Sequence, residues 1–590
     1  MLQDKSCLAT PTVFEANSSS EPTLSMLEEA KIQLIRMAMK NLNTKQEVND
    51  IRTYSLSEEE EGNSFMNNEN ITKKKKPSSN LMMKDNMLET QPARLDHVLG
   101  DDMLYHILTF LDQSFLIHTF MRVSKYWYEK VLLIPMSLSL HCRINEILSK
   151  LQTIANNRYT LNFRELSFIG TLKDESADII RVISRSNKFN NIKSLYLKNF
   201  IFGKEEISEI ASGYCKSLTT LHINSWFNTK NIDASFATII ANSDNMKELR
   251  TLRLLTDFGD DIIRELCNSD KIKNLKHLDL NGSKVSSNGI IMLSNGVSMS
   301  NLTVLKLIDI MFGEEGLSAF VNSTVLHNLQ NLNLLLCSIG TTGARLLSNS
   351  PHLTQITTLA LESNSIADEG VLALCESACM RNVTDLDLSD NDVTEKAVSY
   401  LTSNTSSMKC LTRLNLDWNS IEVQGAKLIA TSQTMQYLKN ISMCGCGIGD
   451  EGIHAICTSD YMKNLTSLNL DENNISTTGI AYLVSSTFRS CLQHLSLECN
   501  SIGVEGARLL TTSSLKLKSL ILTSCDIESN GILLIANCPT FQLTELSICC
   551  NGITDEGMYA ICNSPYLRKL TKLSVYDRVI TMTSCFLVQI

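Results

Sequence analysis

Residues 465–491 read LTSLNLDENNISTTGIAYLVSSTFRSC, and this stretch decides the fold. Leu465, Leu468 and Leu470 form an L-x-x-L-x-L strand, in which alternate side chains point to one face. Asn473 follows in a turn, and a helix with periodic apolar residues comes after it. A unit of this size cannot bury its apolar strand face alone, so copies of it have to stack.

The same unit recurs from about residue 160 onward, where it can be counted by the central residue of each strand. Neighbouring copies such as Leu468 and Leu495 are 27 residues apart, which leaves room for a helix in every unit. Alternating strands and helices at that period predict an α/β fold, a horseshoe solenoid with a parallel sheet inside and helices outside. The sixteen central residues are Leu166, Leu195, Leu221, Leu252, Leu278, Leu305, Leu332, Leu359, Leu386, Leu414, Ile441, Leu468, Leu495, Leu520, Leu546 and Leu573.

The recurring polar and small residues of the unit have physical explanations. An asparagine such as Asn473 is expected to hydrogen-bond backbone groups in a turn that no sheet ladder satisfies, so that neighbouring copies form a ladder. Glycine at the helix entrance, as at Gly452, allows either a close approach or an unusual backbone angle. The cysteines that take the asparagine position are Cys337, Cys446 and Cys525.

Three helix openings indicate the type of repeat. They read GARLL at 343–347, GAKLI at 425–429 and GARLL at 506–510. These motifs are similar to those of ribonuclease-inhibitor-like and GALA-type leucine-rich repeats, and the resemblance covers residues 160–590. It implies a leucine-rich-repeat horseshoe of about 16 repeats, and it says almost nothing about function, because many unrelated binding proteins use this scaffold.

Residues 97–135 differ from the repeats and predict three short helices that end at Pro135. They contain Ile107-Leu108, Leu111, Leu116 and Val123-Ser-Lys-Tyr-Trp127. This pattern resembles that of an F-box module, although the proline that helps to set the first turn of that family is replaced by Gly100. A small helical cap that protects the first repeat is the alternative. The resemblance implies that the surface for a Skp-family adaptor is formed or supported by Leu99, Ile107, Leu111, Leu116, Val123 and Trp127.

Residues 1–95 are rich in Ser, Asn, Glu and Lys and are predicted to be mostly disordered, because this composition buries too little apolar surface. Within them, apolar residues at spacings of three and four predict an amphipathic helix over residues 24–42. This helix would dock on the repeats, bind a partner or remain a nascent helix in a tail. The lysine run at 73–76 is interpreted as a solvated charge run, with a nuclear address as the alternative.

Charge and composition exclude several classes of protein. The sequence contains 53 lysine and arginine residues and 63 aspartate and glutamate residues, which gives a net charge of −10. This charge argues against a general nucleic-acid binder. The sequence has no apolar run of ~18 residues and no secretory pattern, so we expect no membrane association. We expect a cytoplasmic location, with the nucleus as an additional location that the sequence leaves open. The 19 cysteines are then expected to be reduced thiols.

No catalytic or metal-binding signature is found in the sequence. The motifs G-x-x-x-x-G-K-[ST], H-E-x-x-H and G-x-S-x-G do not occur. Cys444-Gly-Cys446 and Cys549-Cys550 come without a second Cys/His pair at zinc-site spacing. We therefore predict a protein that is not an enzyme and that holds no metal and no cofactor.

Side chains between the strand leucines are expected to face outward on the concave side of the sheet. From the repeat of Leu359 to that of Leu495, these positions hold eight acids, one strong base, Arg413, and an aromatic residue, Trp418. This pattern predicts a substrate-binding site for a basic partner, whereas solubility alone would also favour polar residues there. The eight acids, named the acidic strip below, are Glu362, Asp385, Asp387, Asp390, Asp417, Asp471, Glu472 and Glu498.

Three functional hypotheses follow. The first is a substrate-recognition subunit of a cullin-RING (SCF-type) ubiquitin ligase, with the F-box-like helices on the Skp-family adaptor and the acidic strip on a protein substrate. The second is an adaptor-free binding scaffold or inhibitor, in which residues 97–135 are a cap. The third, a GTPase-activating regulator, ranks lower because such proteins commonly end in an acidic tail and this sequence ends in CFLVQI.

Overall fold

The repeats are the part of the chain that the structure shows. The computed structural model describes residues 131–141, 144–156, 162–170, 176–200, 204–224, 234–255 and 259–577. The predicted helix at 24–42 and the F-box-like module up to residue 130 lie outside the described residues, and so do all six residues predicted to meet an adaptor.

The chain divides into two compact units. The larger unit comprises Ser139–Ala155 and Glu165–Ile590 and contains strands β3 to β17, whose bounds are given below. The smaller unit comprises Met1–Leu138 and Asn156–Arg164. Within it, the Met136 N–H donates to the Asn162 carbonyl at 2.9 Å.

Seventeen strands form one sheet in the described part of the chain. Most of them are three residues long, with a buried centre between two residues that are partly exposed. The strands are β1 (Met136–His141), β2 (Phe163–Ile169), β3 (Ser194–Lys198), β4 (Thr220–Asn224), β5 (Thr251–Leu255), β6 (His277–Asp279), β7 (Val304–Lys306), β8 (Asn331–Asn333), β9 (Thr358–Ala360), β10 (Asp385–Asp387), β11 (Arg413–Asn415), β12 (Asn440–Ser442), β13 (Ser467–Asn469), β14 (His494–Ser496), β15 (Ser519–Ile521), β16 (Glu545–Ser547) and β17 (Lys572–Ser574).

One α-helix follows each strand from β1 to β16 in the described residues. Consecutive helices pack side by side, as α11 does on α12. The helices are α1 (Ile144–Asn156), α2 (Ser176–Arg185), α3 (Lys204–Ser212), α4 (Ala234–Asn242), α5 (Asp260–Asn268), α6 (Ser287–Asn295), α7 (Gly313–Val321), α8 (Gly340–Ser348), α9 (Ala367–Glu376), α10 (Glu395–Leu401), α11 (Glu422–Thr431), α12 (Gly449–Thr458), α13 (Thr477–Val484), α14 (Gly503–Thr512), α15 (Glu528–Ala536) and α16 (Asp555–Asn563).

The register of the sheet confirms the predicted solenoid. From β2 to β17 every strand pairs in parallel with the next one, and the sixteen central residues stand opposite one another, as Leu468 does opposite Leu495. All of them except Leu573 in the last strand are buried in the core, where burial of a leucine contributes roughly 1.5–3 kcal/mol. Strand β1 was not predicted, because its sequence, MSLSLH, is not followed by the turn asparagine of the repeat.

The asparagine ladder is present as predicted. Asn473 is buried, and its side-chain amide donates to the carbonyls of Met443 (2.6 Å) and Asp471 (2.8 Å). Its own N–H donates to the Asn500 side-chain oxygen at 3.1 Å, so each turn is tied to the next. Where cysteine replaces asparagine, the thiol of Cys446 still donates to a carbonyl of the preceding repeat, 3.1 Å away.

The helix-entrance glycines are explained by close approach and not by an unusual backbone angle. A Cβ added to Gly452 would lie 2.7 Å from the Cβ of Ile448, closer than real side chains come. The left-handed backbone occurs three residues earlier, at Gly449, where φ is 55°. Of the two explanations that the sequence left open for Gly452, the structure therefore favours the first.

A second ladder, made by hydroxyl groups after the helices, was missed at the sequence level. The Ser350 hydroxyl donates to the Val321 carbonyl at 2.5 Å, and the Ser432 hydroxyl donates to the Thr402 carbonyl at 2.8 Å. Because these carbonyls end the preceding helix, each hydroxyl satisfies a group that the helix cannot. The recurring S-x-x-L/M, as in Ser350-Pro-His-Leu353, is the signal that could have revealed it.

Candidate functional site

The strand face is the side of the sheet that carries the residues on either side of each buried central leucine. On β10 these residues are Asp385 and Asp387, and both are partly exposed. Parallel pairing puts Arg413 opposite Asp385 and Asn415 opposite Asp387. Since neighbouring strands are ~4.8 Å apart, the acidic strip, which runs from β9 to β14, extends over roughly 24 Å.

The turn after each strand adds a row of residues with a left-handed backbone. The φ angles of Asp390, Trp418 and Glu472 are 52°, 58° and 54°. Each backbone N–H donates to a carbonyl of the next repeat, as Trp418 does to Cys444 at 2.7 Å and Glu472 does to Glu498 at 2.8 Å. The strip therefore stands on a backbone that is hydrogen-bonded from repeat to repeat.

Trp418 brings an aromatic side chain into this row, at a left-handed φ that the other members share. Its side chain remains 55% exposed. The indole lies over Gly445, where an added Cβ would come within 2.7 Å of the Trp418 Cε3 atom. An exposed aromatic face beside carboxylates is suited to a lysine or arginine side chain of a partner.

Some acids of the strip have structural partners that the sequence did not reveal. The Asp387 carboxylate accepts from the Ser389 hydroxyl (2.6 Å) and from the Asn415 amide (3.1 Å). Asp417 accepts from the Cys444 N–H at 2.6 Å, and Asp471 accepts from the Glu498 N–H at 2.7 Å. These aspartates link repeats in addition to carrying charge.

Other acids of the strip have no side-chain partner. In the described chain, the carboxylates of Glu362, Glu472 and Glu498 make no hydrogen bond and no ion pair. Arg413, whose Nε lies 3.7 Å from the Asp385 carboxylate, forms the ion pair found within the strip. Three carboxylates therefore remain for an external cation.

Burial and repulsion between neighbouring carboxylates raise the pKa of several acids of the strip. The pKa of Glu362 is raised by burial and then by Asp387, Asp390 and Asp417. Burial also raises the pKa of Asp417, although the hydroxyl of Ser442 and the N–H of Cys444 oppose that shift. The pKa values of Asp385 and Asp471 are raised as well, with burial as the largest cause in both.

The strip also carries a histidine and a cysteine. His494 is exposed on β14, and burial raises the pKa of the nearby Cys499 thiol. Among the described residues, no three His, Cys, Asp or Glu side chains are placed to hold a metal ion. None of the helices in the described ranges is long and apolar enough to cross a membrane.

Sequence reasoning missed a group of basic residues earlier on the same face. This basic patch consists of Lys198 on β3, His222 on β4, Arg253 on β5, His277 on β6 and Lys306 on β7. Its members are spread over 109 residues of sequence, so the charge becomes a cluster only when the strands are aligned.

Comparison with known families identifies the repeats. The family described as Leucine Rich repeat matches eight segments, at residues 271–294, 352–375, 379–401, 407–430, 461–484, 490–510, 513–536 and 542–562. These eight segments are leucine-rich repeats. Leucine-rich repeats form protein-binding scaffolds, and the match indicates no catalytic family. A search of curated proteins finds no match.

Solved structures with similar repeats include three distant ones. An internalin from Listeria monocytogenes is 20% identical over 57% of this chain and 90% of its own, with a TM-score of 0.33. A chain of the yeast Rad7 and Elc1 complex is 16% identical over 60% of this chain and 86% of its own, with a TM-score of 0.40. A leucine-rich-repeat protein of Leptospira interrogans is 19% identical over 75% of this chain and 90% of its own, with a TM-score of 0.29. At these TM-scores, the likenesses carry no argument about function.

Proposed function

We propose that this leucine-rich-repeat protein binds a basic protein segment on the acidic strip and presents it, as a substrate-recognition subunit, to a cullin-RING ubiquitin ligase. The observation that carries the binding role is the imbalance of charge within the strip. Eight acids share one strong base, Arg413, and three of their carboxylates have no partner in the described chain. A basic segment would supply the missing cations.

Trp418 supplies the apolar part of this surface. Its half-exposed indole lies between acids, next to Asp417 in sequence and over Gly445 in space. A lysine or arginine of the partner would stack on the ring while its charge meets the carboxylates. Aromatic residues of this kind commonly dominate the binding free energy of an interface.

The ligase role rests on the F-box resemblance of residues 97–135, with Leu99, Ile107, Leu111, Leu116, Val123 and Trp127 meeting or supporting the Skp-family adaptor. The subunit itself would catalyse nothing. It would raise the effective concentration of a substrate lysine near the ligase, and other subunits would transfer ubiquitin.

An affinity purification of the full chain from a eukaryotic lysate tests the ligase role. We expect Skp-family adaptor and cullin with the wild type and neither with Ile107→Asp combined with Leu111→Asp. The matched control is Leu34→Asp with Met37→Asp, which puts the same charges into the predicted helix at 24–42 and should retain the adaptor. Adaptor binding by the Ile107/Leu111 variant would contradict the ligase role.

The second candidate function is an adaptor-free scaffold in which residues 97–135 cap the first repeat. A solenoid needs protection at its ends, and this requirement favours the cap. Deletion of residues 97–135 separates the two functions. The scaffold predicts increased hydrogen exchange in β2 and β3, whereas the ligase subunit predicts loss of the adaptor with unchanged exchange in the repeats.

A further inference from the structure

The strand face changes sign along the repeats. On β3 to β7 the basic patch contributes three strong bases, Lys198, Arg253 and Lys306, and the strands there carry one acid, Asp279. The acidic strip begins two strands later, on β9. The two charged regions therefore lie along one continuous face of the same sheet.

Strand register brings the patch together around Arg253. His222 stands opposite Arg253, which stands opposite Asp279, and Asp279 in turn stands opposite Lys306. At ~4.8 Å per strand, this row extends over about 15 Å. Tyr196 closes one side, with its ring centroid 5.8 Å from that of His222 in an edge-to-face arrangement.

Polar atoms without partners are concentrated in this patch. Of seven buried side-chain nitrogen and oxygen atoms that lack a hydrogen bond in the described chain, three belong to the patch, His222 Nε2, Arg253 Nε and His277 Nε2, and a fourth, Asn224 Oδ1, lies beside it on β4. A buried polar group without a partner costs about 1–3 kcal/mol, so four on three adjacent strands require an explanation.

The internal acid does not satisfy Arg253. The Arg253 Nε atom is 3.9 Å from the Asp279 carboxylate, too far for a hydrogen bond. Asp279 is nearly buried, and its carboxylate also accepts from the Asn281 N–H at 3.3 Å. The guanidinium thus retains donor capacity beside a carboxylate that is already engaged.

The local potential is positive without protonation of the imidazoles. Burial, followed by the charges of Arg253 and Lys198, lowers the pKa of His222 to about 4. Burial, followed by the charges of Arg253, Lys306 and His222, lowers the pKa of His277 to about 4. Each neutral imidazole keeps one N–H donor, and its Nε2 has no partner, so the ring can turn outward without breaking a hydrogen bond there.

We propose that the basic patch binds an oxyanion, either a carboxylate or a phosphoryl group, carried by the same protein segment whose basic residues lie on the acidic strip. Arg253 supplies the charge and two imidazole N–H groups complete the cradle. Rotation of the Asn224 amide would turn its NH₂ group toward the anion as a further donor. This inference rests on the proposed function.

The sheet sets the spacing of the two charges in the ligand. From β5, which carries Arg253, to β10, which carries Asp385 and Asp387, there are five strand steps, or roughly 24 Å. An extended chain advances ~3.3 Å per residue. The anionic residue of the partner should therefore lie about seven residues from its lysine or arginine cluster.

Three labelled peptides and the full chain test this inference by fluorescence anisotropy at fixed ionic strength. Each peptide has the same lysine and arginine cluster, and the residue about seven positions away is serine, phosphoserine or glutamate. We expect the phosphoserine or the glutamate peptide to bind at least tenfold more tightly than the serine peptide. A gain for phosphoserine alone assigns a phosphoryl group, and a gain for both admits a carboxylate.

Variants locate the gain. Arg253→Gln should abolish it, and Lys306→Gln should reduce it and serves if the first variant unfolds. Arg345→Gln, an exposed arginine on α8, is the matched control and should keep the gain. The oxyanion site alone is overturned if the three peptides bind equally, or if the gain survives in both patch variants. If the serine peptide does not bind at all, the proposed function is overturned as well.

Discussion

The helix face and the strand face of the same repeats carry charge in opposite ways. On the helices, several acids are paired with bases: Glu369 with Lys396 at 3.1 Å, Glu451 with Lys427 at 3.2 Å, and Glu505 with Arg508. On the strands between β9 and β14, eight acids share Arg413. If acidity served solubility alone, both faces would show the same balance.

Carboxyl pKa values reflect this difference. Hydrogen bonds from Lys396 and from Arg508 lower the pKa values of Glu369 and Glu505 on the helix face. On the strand face, burial and neighbouring acids raise the pKa of Glu362. The comparison teaches that the paired helix acids are compensated within the chain, whereas Glu362, Glu472 and Glu498 on the strand face have no side-chain partner in the described residues.

The largest expected effect comes from reversing the carboxylates that have no partner. Glu362→Lys, Glu472→Lys and Glu498→Lys together should weaken binding of a labelled decalysine peptide by on the order of 100-fold, because like charges facing each other cost several kcal/mol. Fluorescence anisotropy measures the loss. The control is Glu369→Lys, Glu451→Lys and Glu505→Lys, which makes the same change in net charge on the helix face. Equal losses for both triple variants would erase the distinction between the faces.

A smaller loss is expected from the exposed aromatic residue. Trp418→Ala should weaken decalysine binding about tenfold, since cation–π contacts of desolvated rings contribute up to about 2 kcal/mol. Tyr437 offers a matched control, because it is 54% exposed where Trp418 is 55% exposed and it lies outside the strand face. If Tyr437→Ala costs as much affinity as Trp418→Ala, the indole has no special part in the site.

Gly445 allows a separate test of how the indole is held. Gly445 and Gly447 both have left-handed backbones, with φ of 63° and 69°, so alanine at either should cost ~1–2 kcal/mol of stability. An added Cβ meets Trp418 only at position 445, and at 447 nothing lies within 4 Å. Decalysine titrations should therefore show a several-fold loss for Gly445→Ala and none for Gly447→Ala. Identical affinities would mean that the position of the indole is irrelevant.

The smallest effect concerns stability and pH. A raised pKa means that Glu362 contributes stability when it is protonated and that this contribution is lost as pH rises through the folded-state pKa. Glu362→Gln should thus raise the melting temperature at neutral pH and not in acid. For Glu369 the pKa is lowered, so its contribution is present at neutral pH and is lost as pH falls. Thermal scans at two pH values would reveal a contradiction if Glu362→Gln lowered the melting temperature at neutral pH.

The repeat architecture was predictable because its signals are local and periodic. Sixteen strand centres, the asparagine ladder and the cysteine substitutes all follow from spacing within a unit of residues such as 465–491. The left-handed row at Asp390 and Trp418 was not predictable, because its hydrogen bonds come from the next repeat. A pattern within one unit does not show such a partner.

The site was predictable in part, and for a related reason. Alternation along a strand identified which acids face outward, but it could not show that Asp387, Asp417 and Asp471 also bond to neighbouring repeats. The basic patch was missed because Lys198 and Lys306 are far apart in sequence and come onto one face of the sheet only through strand register. On this fold, charged residues that are neighbours in space lie on adjacent strands and are therefore separated by a whole repeat in the sequence.

Calorimetric measurement of proton release tests the central claim most directly. In mildly acidic buffer, the raised pKa values of Glu362, Asp385, Asp417 and Asp471 favour the protonated carboxyl, whereas the lowered pKa values of Glu369 and Glu505 favour the ionised form. Decalysine on the strip would lower the raised pKa values, so the binding enthalpy should vary with the ionisation enthalpy of the buffer and report protons released. A binding enthalpy that is the same in every buffer would show that the peptide binds elsewhere and would contradict the account.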